Sequence, residues 1–223
     1  MEQPMKPFLN KRPIPSNEEL ETMMAERHTP EIHKVLKKAS VAIAGLGGLG
    51  STIAIALARL GVGNLILVDF DVVDVSNLNR QQYFVDQVGL KKSDALASIL
   101  SRINPTVTCS AHALRLTPKN IPSLFQSCPV IVEAFDIAAE KAMLIETVLR
   151  ALPDTKIVAA SGMAGFGSAN EIRTRRLGAN LYLCGDEKTE AQPDRGLMAP
   201  RVGVAAHHQA TMVLRLLLGE DTP

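Results

Sequence analysis

Apolar and polar positions along the chain follow two alternating periods. Nearly continuous apolar runs predict buried strands of a parallel sheet, at 40–44, 65–68, 130–134 and 157–160. Between them, apolar residues recur every three or four positions and predict helices, at 49–60, 93–103 and 138–152. Strands and helices that alternate in this order predict an α/β fold. We expect a doubly wound, Rossmann-like, mostly parallel sheet with helices on both faces.

Weaker patterns predict the remaining elements and the domain organisation. Short strands are expected at 107–112, 171–176 and 181–184, with helices at 121–126 and 202–218. Ser16 and Thr29 are each placed as the N-cap of an early helix. We interpret residues 1–26 as an N-terminal arm and helix, with an extended or disordered Pro-rich lead, and residues 27–223 as one domain.

Composition narrows the classes of partner and compartment. The 24 Lys and Arg residues balance 23 acidic ones, so the net charge of +1 gives no bulk attraction for nucleic acid or an anionic membrane. The N-terminus lacks the apolar core of a signal peptide, and no apolar run reaches the roughly 18 residues of a membrane helix. Three widely spaced cysteines favour a reducing compartment. A cytoplasmic protein is expected.

A glycine turn joins the first strand to the first long helix. Gly45, Gly47 and Gly50 let the backbone turn tightly and approach a phosphate, whose charge the helix N-terminus stabilises. Asp69 ends the next strand. Its separation along the sequence from Gly45 is about that expected for a carboxylate that accepts hydrogen bonds from a ribose. The alternative is that these glycines only permit close packing of helix and strand. This unit predicts nucleotide binding without specifying the reaction.

The residues after Asp69 favour one kind of chemistry. Arg80 and Lys92 offer cations near the nucleotide phosphates, where nucleotidyl transfer builds up negative charge. Asn77 and Gln81 offer amides that can position phosphate or ribose. Arg80 can also be read as a solvated loop charge, and composition does not decide whether Lys91 or Lys92 points inward.

Asp136 follows the fourth buried strand. A carboxylate at a strand end suits a Mg²⁺ ion that keeps most of its waters and bridges to phosphate oxygens. The same residue can instead cap the helix that begins near Ala138. Both readings stay open on the sequence alone.

The motifs GLGGLG, LVDFDVVDVSNLNRQ, GLKKSDA and INP together resemble the ubiquitin-activating and ThiF/MoeB family. The short chain and its APRVGVAAHHQATMVLRLLLG ending are most similar to compact bacterial ThiF-like proteins of thiamine biosynthesis. The resemblance implies the ThiF/MoeB adenylation fold and ATP with Mg²⁺ as cofactors. It also implies that the C-terminal glycine of a small ubiquitin-like sulfur carrier protein ending in Gly-Gly is adenylated, by a homodimer.

The resemblance also assigns roles to individual residues. The nucleotide contacts it implies come from Gly45, Gly47, Gly48, Gly50, Asp69, Asp71, Asn77, Arg80, Gln81 and Lys92. Lys92 matches the family lysine better than Lys91 does, and Asp136 matches the magnesium aspartate. Arg27 matches an N-terminal arginine that such dimers insert into the neighbouring subunit's ATP site.

Three features depart from the family pattern. No CxxC pair is present, so no structural zinc of that type is expected. Ile137 follows Asp136 where the family has asparagine, and Lys141 stands at the position of an arginine, which loses bidentate geometry. Cys184 is the one cysteine placed for thioester or persulfide chemistry, although a buried strand thiol is the commoner situation.

Three other functions remain compatible with the nucleotide-binding unit. A nicotinamide-dependent oxidoreductase shares it, although the SNLNRQ segment speaks against that class. A non-catalytic scaffold that binds nucleotide or a ubiquitin-like partner is kept open by Ile137 and Lys141. A tRNA-activating relative receives no support from the balanced charge.

Overall fold

The computed structural model describes residues 14–193 and 195–223. The predicted extended lead lies mostly before residue 14, outside the described residues. Within these residues there are seven strands: β1 Ser40–Ala44, β2 Asn64–Val68, β3 Thr108–His112, β4 Val130–Glu133, β5 Lys156–Ala160, β6 Arg173–Leu177 and β7 Leu181–Gly185. The helices are α1 Asn17–His28, α2 Pro30–Lys38, α3 Gly48–Arg59, α4 Lys92–Ile103, α5 Ile121–Phe125, α6 Ala138–Ala151 and α7 Ala199–Leu217.

The strands form one sheet in the order β3-β2-β1-β4-β5-β7-β6. All neighbouring strands are parallel except β6, which pairs antiparallel with β7 at the edge. The chain leaves β1 towards β2 and β3 and then returns to β4 on the other side of β1. This reversal is the switch point at which open α/β sheets bind ligands, and it confirms the predicted doubly wound fold.

The central strands are apolar throughout because both faces of the sheet are covered. In β1, Val41 and Ile43 belong to the core under α3, α4 and α7, whereas Ala42 and Ala44 belong to the core under α5 and α6. The four side chains have no exposed surface. Alternate residues of one short strand therefore serve two cores, which explains a continuous apolar run where a half-exposed strand would alternate.

The two N-terminal helices begin at the predicted caps. Ser16 and the backbone and side chain of Glu19 form a capping box at α1, and the Thr29 hydroxyl accepts from the Ile32 N–H at α2. Both helices pack against residues that precede β2 and β3, such as Gly61 and Asn104. They therefore lie towards the amino-terminal edge of the sheet.

Most predicted element boundaries lie within two residues of the observed ones, and the start of α7 differs most. Helix α7 begins at Ala199, three residues before the predicted start at 202, because Pro200 occupies its first turn, where a missing N–H costs nothing. The proposed division between residues 26 and 27 falls inside α1, and the division itself stays a prediction. Among residues 14–193 and 195–223, none of the helices has the length and apolar character needed to cross a membrane.

Glu21 ties α1 to α2 and to the segment before β3. Its carboxylate accepts from His33 Nε2 at 2.9 Å and pairs with Lys37 Nζ, which also donates to the Thr106 carbonyl at 2.9 Å. Burial opposes ionisation, but the hydrogen bonds and the charge of Lys37 outweigh it and lower the pKa of Glu21 to about 2.

The Glu21 contacts predict a pH-dependent contribution to stability. The folded-state pKa lies below the ordinary value of about 4.3, so the carboxylate stabilises the fold above that pH and loses this effect as the pH falls towards about 2. We expect Glu21→Gln to lower the free energy of unfolding by about 1 kcal/mol at pH 7. Urea unfolding should show this difference shrinking below pH ~4.

The exposed Glu26 on the same helix provides the control, and Glu26→Gln should change stability little at any pH. A deficit in Glu21→Gln that stays constant down to the lowest pH at which the protein folds would contradict the assignment.

Candidate active site

A cavity of about 620 Å³ opens at the carboxyl ends of β1, β2, β4 and β5. It lies at the strand-order reversal, as the fold predicts. The predicted site residues that line it are Gly45, Gly47, Gly48, Asp69, Asp71, Arg80, Gln81, Lys92 and Asp136. Three predicted residues, Gly50, Asn77 and Arg27, do not line it.

The glycines of the turn differ in what an added side chain would contact. Gly45 has a φ of +89°, and a Cβ there would lie 2.8 Å from the Ala134 carbonyl oxygen. A Cβ on Gly50 would lie 1.9 Å from the Gly45 carbonyl oxygen, so close packing of helix and strand requires this glycine. A Cβ on Gly47 would meet only the Gln81 amide nitrogen, at 3.7 Å. Packing within the described protein therefore does not require glycine at 47, where a side chain would enter the cavity.

Gly47 is also the N-cap of α3, and no side chain caps that helix. The first N–H groups of a helix have no intrahelical acceptors, and the helix dipole places partial positive charge beside them. Gly47, Gly48 and Leu49 line the cavity at this point. The turn therefore offers backbone donors and open space for a phosphate.

Asp69 holds the glycine turn to the end of β2. Its carboxylate accepts from the Leu46 N–H at 2.7 Å and from the Asp71 N–H at 2.8 Å. Tyr83 adds a second tie, because its hydroxyl donates to the Leu46 carbonyl at 2.8 Å. An ionised carboxylate has about four acceptor sites, so Asp69 keeps capacity for the hydroxyls of a ribose.

The structure distinguishes the two adjacent lysines. Lys92 is buried and lines the cavity, whereas Lys91 is exposed. Lys92 Nζ donates to Asp71 Oδ2 at 2.9 Å, and its backbone N–H donates to the Asp71 carbonyl at 2.9 Å. Only one of its three Nζ donors is used within the described residues, so the ammonium can still bind an anion in the cavity.

Arg80 and Gln81 face the cavity with unused hydrogen-bonding capacity. Arg80 Nη1 donates to the Asn79 side chain at 2.8 Å and to the Ser76 carbonyl at 3.3 Å. No carboxylate in residues 14–193 or 195–223 pairs with this guanidinium. Gln81 is buried, and its Oε1 has no hydrogen-bond partner in the described structure. A buried amide oxygen without a partner is costly, and a donor from a bound ligand would satisfy it.

Asn77 lies outside the cavity lining. Its Oδ1 accepts from the Asp74 N–H at 3.3 Å, and its carbonyl accepts from the N–H groups of Arg80 and Gln81. These bonds shape the turn that presents Arg80. A direct contact between Asn77 and phosphate stays a prediction.

Asp136 is exposed, lines the cavity and has no hydrogen-bond or ion-pair partner among the residues that the structure describes. Ile137, not Asp136, is the N-cap of α6, and no side chain caps this helix. The alternative role as a helix cap therefore has no supporting contact. An unpaired carboxylate that faces the cavity fits the hard oxygen donor that Mg²⁺ prefers.

Glu133 and Lys141 form an ion pair next to Asp136 that the sequence interpretation did not identify. Lys141 Nζ lies 2.9 and 3.0 Å from the two carboxylate oxygens of Glu133, which is fully buried. Burial raises the pKa of Glu133, while the charge of Lys141 acts in the opposite direction. The signal was present in the sequence, because Glu133 is the one charged residue in the otherwise apolar run VIVEA.

Apolar side chains form the wall of the cavity near β2 and β3. They are Phe70, Leu114, Leu116 and Phe135. The Arg115 guanidinium lies 4.3 Å from the centre of the Phe70 ring and also pairs with Glu140 at 2.5 Å. A flat aromatic base can pack against such a wall.

The opposite wall is formed by loops that follow β5 and β7. Ser161–Ala164 and Thr189–Ala191 line the cavity there. Asp186 anchors the second loop, because it accepts from the N–H groups of Lys188 and Thr189 and pairs with the buried Arg201 Nη2 at 2.6 Å. Burial opposes ionisation of Asp186, but these hydrogen bonds outweigh it and hold its pKa well below the ordinary range.

Two further residues singled out in the sequence lie away from the cavity. Cys184 is fully buried in β7, and its thiol lies 3.4 Å from the Thr174 hydroxyl. Burial raises the pKa of this thiol to about 11, so the reactive thiolate is scarce at neutral pH. Arg27 is exposed on α1. A role for Arg27 in a neighbouring subunit stays a prediction.

Comparison with known proteins identifies the family and agrees with the fold. The ThiF family matches residues 21–223. Sulfur carrier protein ThiS adenylyltransferase of Escherichia coli K12 is 33% identical over 194 residues, which cover 84% of this chain and 76% of the relative. Adenylyltransferase and sulfurtransferase UBA4 of Yarrowia lipolytica is 29% identical over 191 residues. That alignment covers 82% of this chain but 47% of UBA4, so the chain spans about half of this longer relative.

A solved structure confirms the fold. E. coli tRNA N6-threonylcarbamoyladenosine dehydratase TcdA, in complex with ATP, superposes with a TM-score of 0.80. The superposition covers 89% of this chain and 93% of TcdA at 21% sequence identity. At that identity, the similarity shows a shared fold and does not transfer the reaction.

The two glycine environments predict opposite effects of one substitution. Gly50→Ala places a methyl group against the Gly45 carbonyl and should lower the free energy of unfolding by about 3 kcal/mol or more. Gly47→Ala should change stability by less than about 1 kcal/mol but weaken ATP binding at least about tenfold, because the methyl group enters the cavity. Thermal unfolding and titration calorimetry measure the two effects. Wild-type ATP affinity in a folded Gly47→Ala protein would contradict the phosphate assignment.

The buried thiol predicts slow chemical modification. In the native protein, iodoacetamide should label the partly exposed Cys109 before Cys184, which should react only on unfolding. Mass spectrometry of tryptic peptides resolves the two sites. Rapid native labelling of Cys184 would support the catalytic role that its burial argues against.

Proposed function

The chain belongs to the ThiF family, as its motifs predicted, and we propose that it is an ATP-dependent adenylyltransferase. Its substrate would be the C-terminal carboxylate of a small ubiquitin-like sulfur carrier protein. One observation carries the proposal: a single cavity collects an open glycine turn, two cations and an unpaired carboxylate. The E. coli relative is named for this reaction on ThiS, which makes a role in thiamine biosynthesis the favoured assignment.

The nucleotide would lie across the ends of β1 and β2. Its phosphates fit the open space at Gly47 and the uncapped N-terminus of α3, and its ribose fits the free acceptor capacity of Asp69. The base fits the apolar wall near Phe70 and Leu116. The unpartnered Gln81 Oε1 is ready to accept from the ribose or the base.

The transfer needs positioning and charge stabilisation rather than proton transfer. A carboxylate oxygen of the carrier attacks the α-phosphorus in line, and the bond from that phosphorus to the bridging oxygen of the β-phosphate breaks. Pyrophosphate leaves and the acyl-adenylate remains. Arg80 and Lys92 would stabilise the charge that builds up on the phosphates. The attacking carboxylate is already ionised at neutral pH, so no general base is required.

Asp136 would hold the magnesium ion that accompanies ATP. Its carboxylate is unpaired and faces the cavity, which fits an ion that binds through one carboxylate, phosphate oxygens and waters. When bound, Mg²⁺ supplies positive charge that neutralises the phosphate oxygens.

The carrier's tail would enter between the loops after β5 and β7. Most side chains that line this part of the cavity are small, namely Ala160, Ser161, Gly162, Ala164 and Ala191, although Met163 and Glu190 line it as well. Small side chains leave room for the backbone of a chain end that has no side chains of its own, which is the chemistry of a Gly-Gly terminus. The carrier would thus meet the nucleotide near Asp136, where β4 ends between β1 and β5.

The family also motivates a homodimer in which Arg27 reaches the neighbouring subunit's ATP. Arg27 is exposed and lies on a helix packed towards the opposite edge of the sheet from its own cavity, so a contact with ATP would have to be made in another copy.

The proposal predicts ATP–pyrophosphate exchange that depends on the carrier. Arg80→Ala and Asp136→Ala should each lower the exchange rate by about 10²-fold or more, because the first removes a cation beside the phosphates and the second removes the proposed ligand of Mg²⁺. Lys92→Met should act in the same direction. Exchange of labelled pyrophosphate with a purified carrier that ends in Gly-Gly measures the effect.

The adjacent, exposed Lys91 provides the matched control, and Lys91→Met should leave exchange unchanged. Full exchange in both Arg80→Ala and Asp136→Ala would exclude the mechanism. Thermal stabilisation of the wild-type protein by NADH but not by Mg-ATP would instead favour an oxidoreductase.

A further inference from the structure

We infer that Glu133 and Lys141 form a positioning clamp that fixes the Asp136 loop and that Lys141 makes no contact with substrate. This inference rests on the proposed function, because it assigns a task within the same site. Lys141 lines the cavity, so its ammonium could be taken for a third catalytic cation beside Arg80 and Lys92.

The hydrogen bonds of Lys141 argue against that catalytic role. An ammonium has three N–H donors. Lys141 Nζ uses them on Glu133 Oε1 at 2.9 Å, Glu133 Oε2 at 3.0 Å and the Ala160 carbonyl at 3.0 Å. A phosphate or carboxylate in the cavity would therefore have to compete with three acceptors of the protein for this ammonium. Lys92 differs, because within the described residues its ammonium has one hydrogen-bond partner.

The acceptors of Glu133 are equally occupied. Besides Lys141, its Oε1 accepts from the Phe135 N–H at 2.7 Å and its Oε2 accepts from the Ala160 N–H at 3.4 Å. Among the described residues, every group within hydrogen-bond distance of the two carboxylate oxygens belongs to Lys141 or is a backbone N–H. The pair therefore carries no net charge and adds little to the field at the phosphates.

The two residues of the clamp flank Asp136 in the sequence. Glu133 is the last residue of β4, and Lys141 lies in the first turn of α6, where its N–H donates to the Ile137 carbonyl at 3.0 Å. Through Phe135 and Ala160, the pair links the ends of β4 and β5 to the start of the helix. Among the residues that the structure describes, the Asp136 side chain has no hydrogen-bond or ion-pair partner, so the backbone on either side largely determines where its carboxylate points.

A lysine serves this purpose where the family has an arginine. Its compact ammonium has as many donors as there are acceptors in this pocket, whereas a guanidinium would bring five donors and a larger plane. The presence of lysine rather than arginine at position 141 therefore fits a positioning role better than a direct contact with the substrate.

The test uses two variants and a matched control. Lys141→Met leaves a buried carboxylate without its partner and is expected to destabilise the protein. The double variant Glu133→Gln/Lys141→Met removes both charges and preserves side-chain volume, so it should fold. Lys119→Met alters an exposed lysine far from these contacts and serves as the control.

Hydrogen exchange in the ligand-free protein is the first measurement. In the double variant, amides of residues 134–140 should exchange at least about tenfold faster, while the rest of the sheet and the Lys119→Met protein remain unchanged. Unchanged exchange over residues 134–140 would overturn the clamp.

Binding of a fluorescent ATP analogue is the second measurement. The double variant should keep wild-type affinity without Mg²⁺, while the Mg²⁺ concentration needed for half-maximal enhancement of binding should rise about tenfold. Combined with Asp136→Ala, the clamp substitutions should have no further effect on this Mg²⁺ dependence. A loss of Mg²⁺-free affinity would instead show that Lys141 contacts the nucleotide, and additive effects would show that the pair acts independently of Asp136.

Pyrophosphate exchange separates the clamp from the proposed reaction. If the wild-type protein exchanges no pyrophosphate but both measurements give the expected results, the adenylation proposal fails and the clamp stands. If exchange proceeds and residues 134–140 are unaffected by the substitutions, the clamp alone fails.

Discussion

The reversal of strand order between β1 and β4 is the constraint on which the site depends. From β1 the chain passes into α3 on one face of the sheet, and from β4 it passes into α6 on the other. The two loops therefore diverge although their strands are hydrogen-bonded neighbours. Divergence opens a crevice that neither loop can fill, and the glycine turn and Asp136 face each other across it.

Periodicity in the sequence predicted the strands around this crevice because they are covered on both faces. A strand such as β1 needs apolar residues at every position, which makes it conspicuous. Because these strands are parallel, their carboxyl ends meet at one edge, and Asp69, Arg80, Lys92 and Asp136 could be grouped before any contact was known. The start of α7 was harder to predict, since Ala199 and Pro200 follow a polar loop that masks the first turn.

Side-chain pairing could not be predicted from the sequence in the same way. The composition does not show which charged side chains are paired, because pairing depends on the positions of the side chains in the folded protein. Lys92 pairs with Asp71, and Lys141 pairs with Glu133 and also donates to the Ala160 carbonyl. Among the charged residues that line the cavity in the described structure, four have no ion-pair partner: Asp69, Arg80, Asp136 and Glu190. Asn77 shows that a polar residue within a functional motif also shapes the turn, since its side chain accepts from the Asp74 N–H.

The buried pairs explain how unpaired groups stay in place. The Asp136 carboxylate has no hydrogen bond among the described residues, and the Arg80 guanidinium is held only through Nη1, so their positions depend on backbone that other interactions fix. Asp69 and Tyr83 fix the glycine turn, Asn77 shapes the turn that carries Arg80, and Glu133 with Lys141 holds the loop of Asp136. Phosphoryl-type transfer relies on positioning and preorganised charge, and both are lost if the supporting loops move. The buried, paired side chains thus hold the loops in place. This support lets Arg80 and Asp136 remain unpaired and available for the reaction.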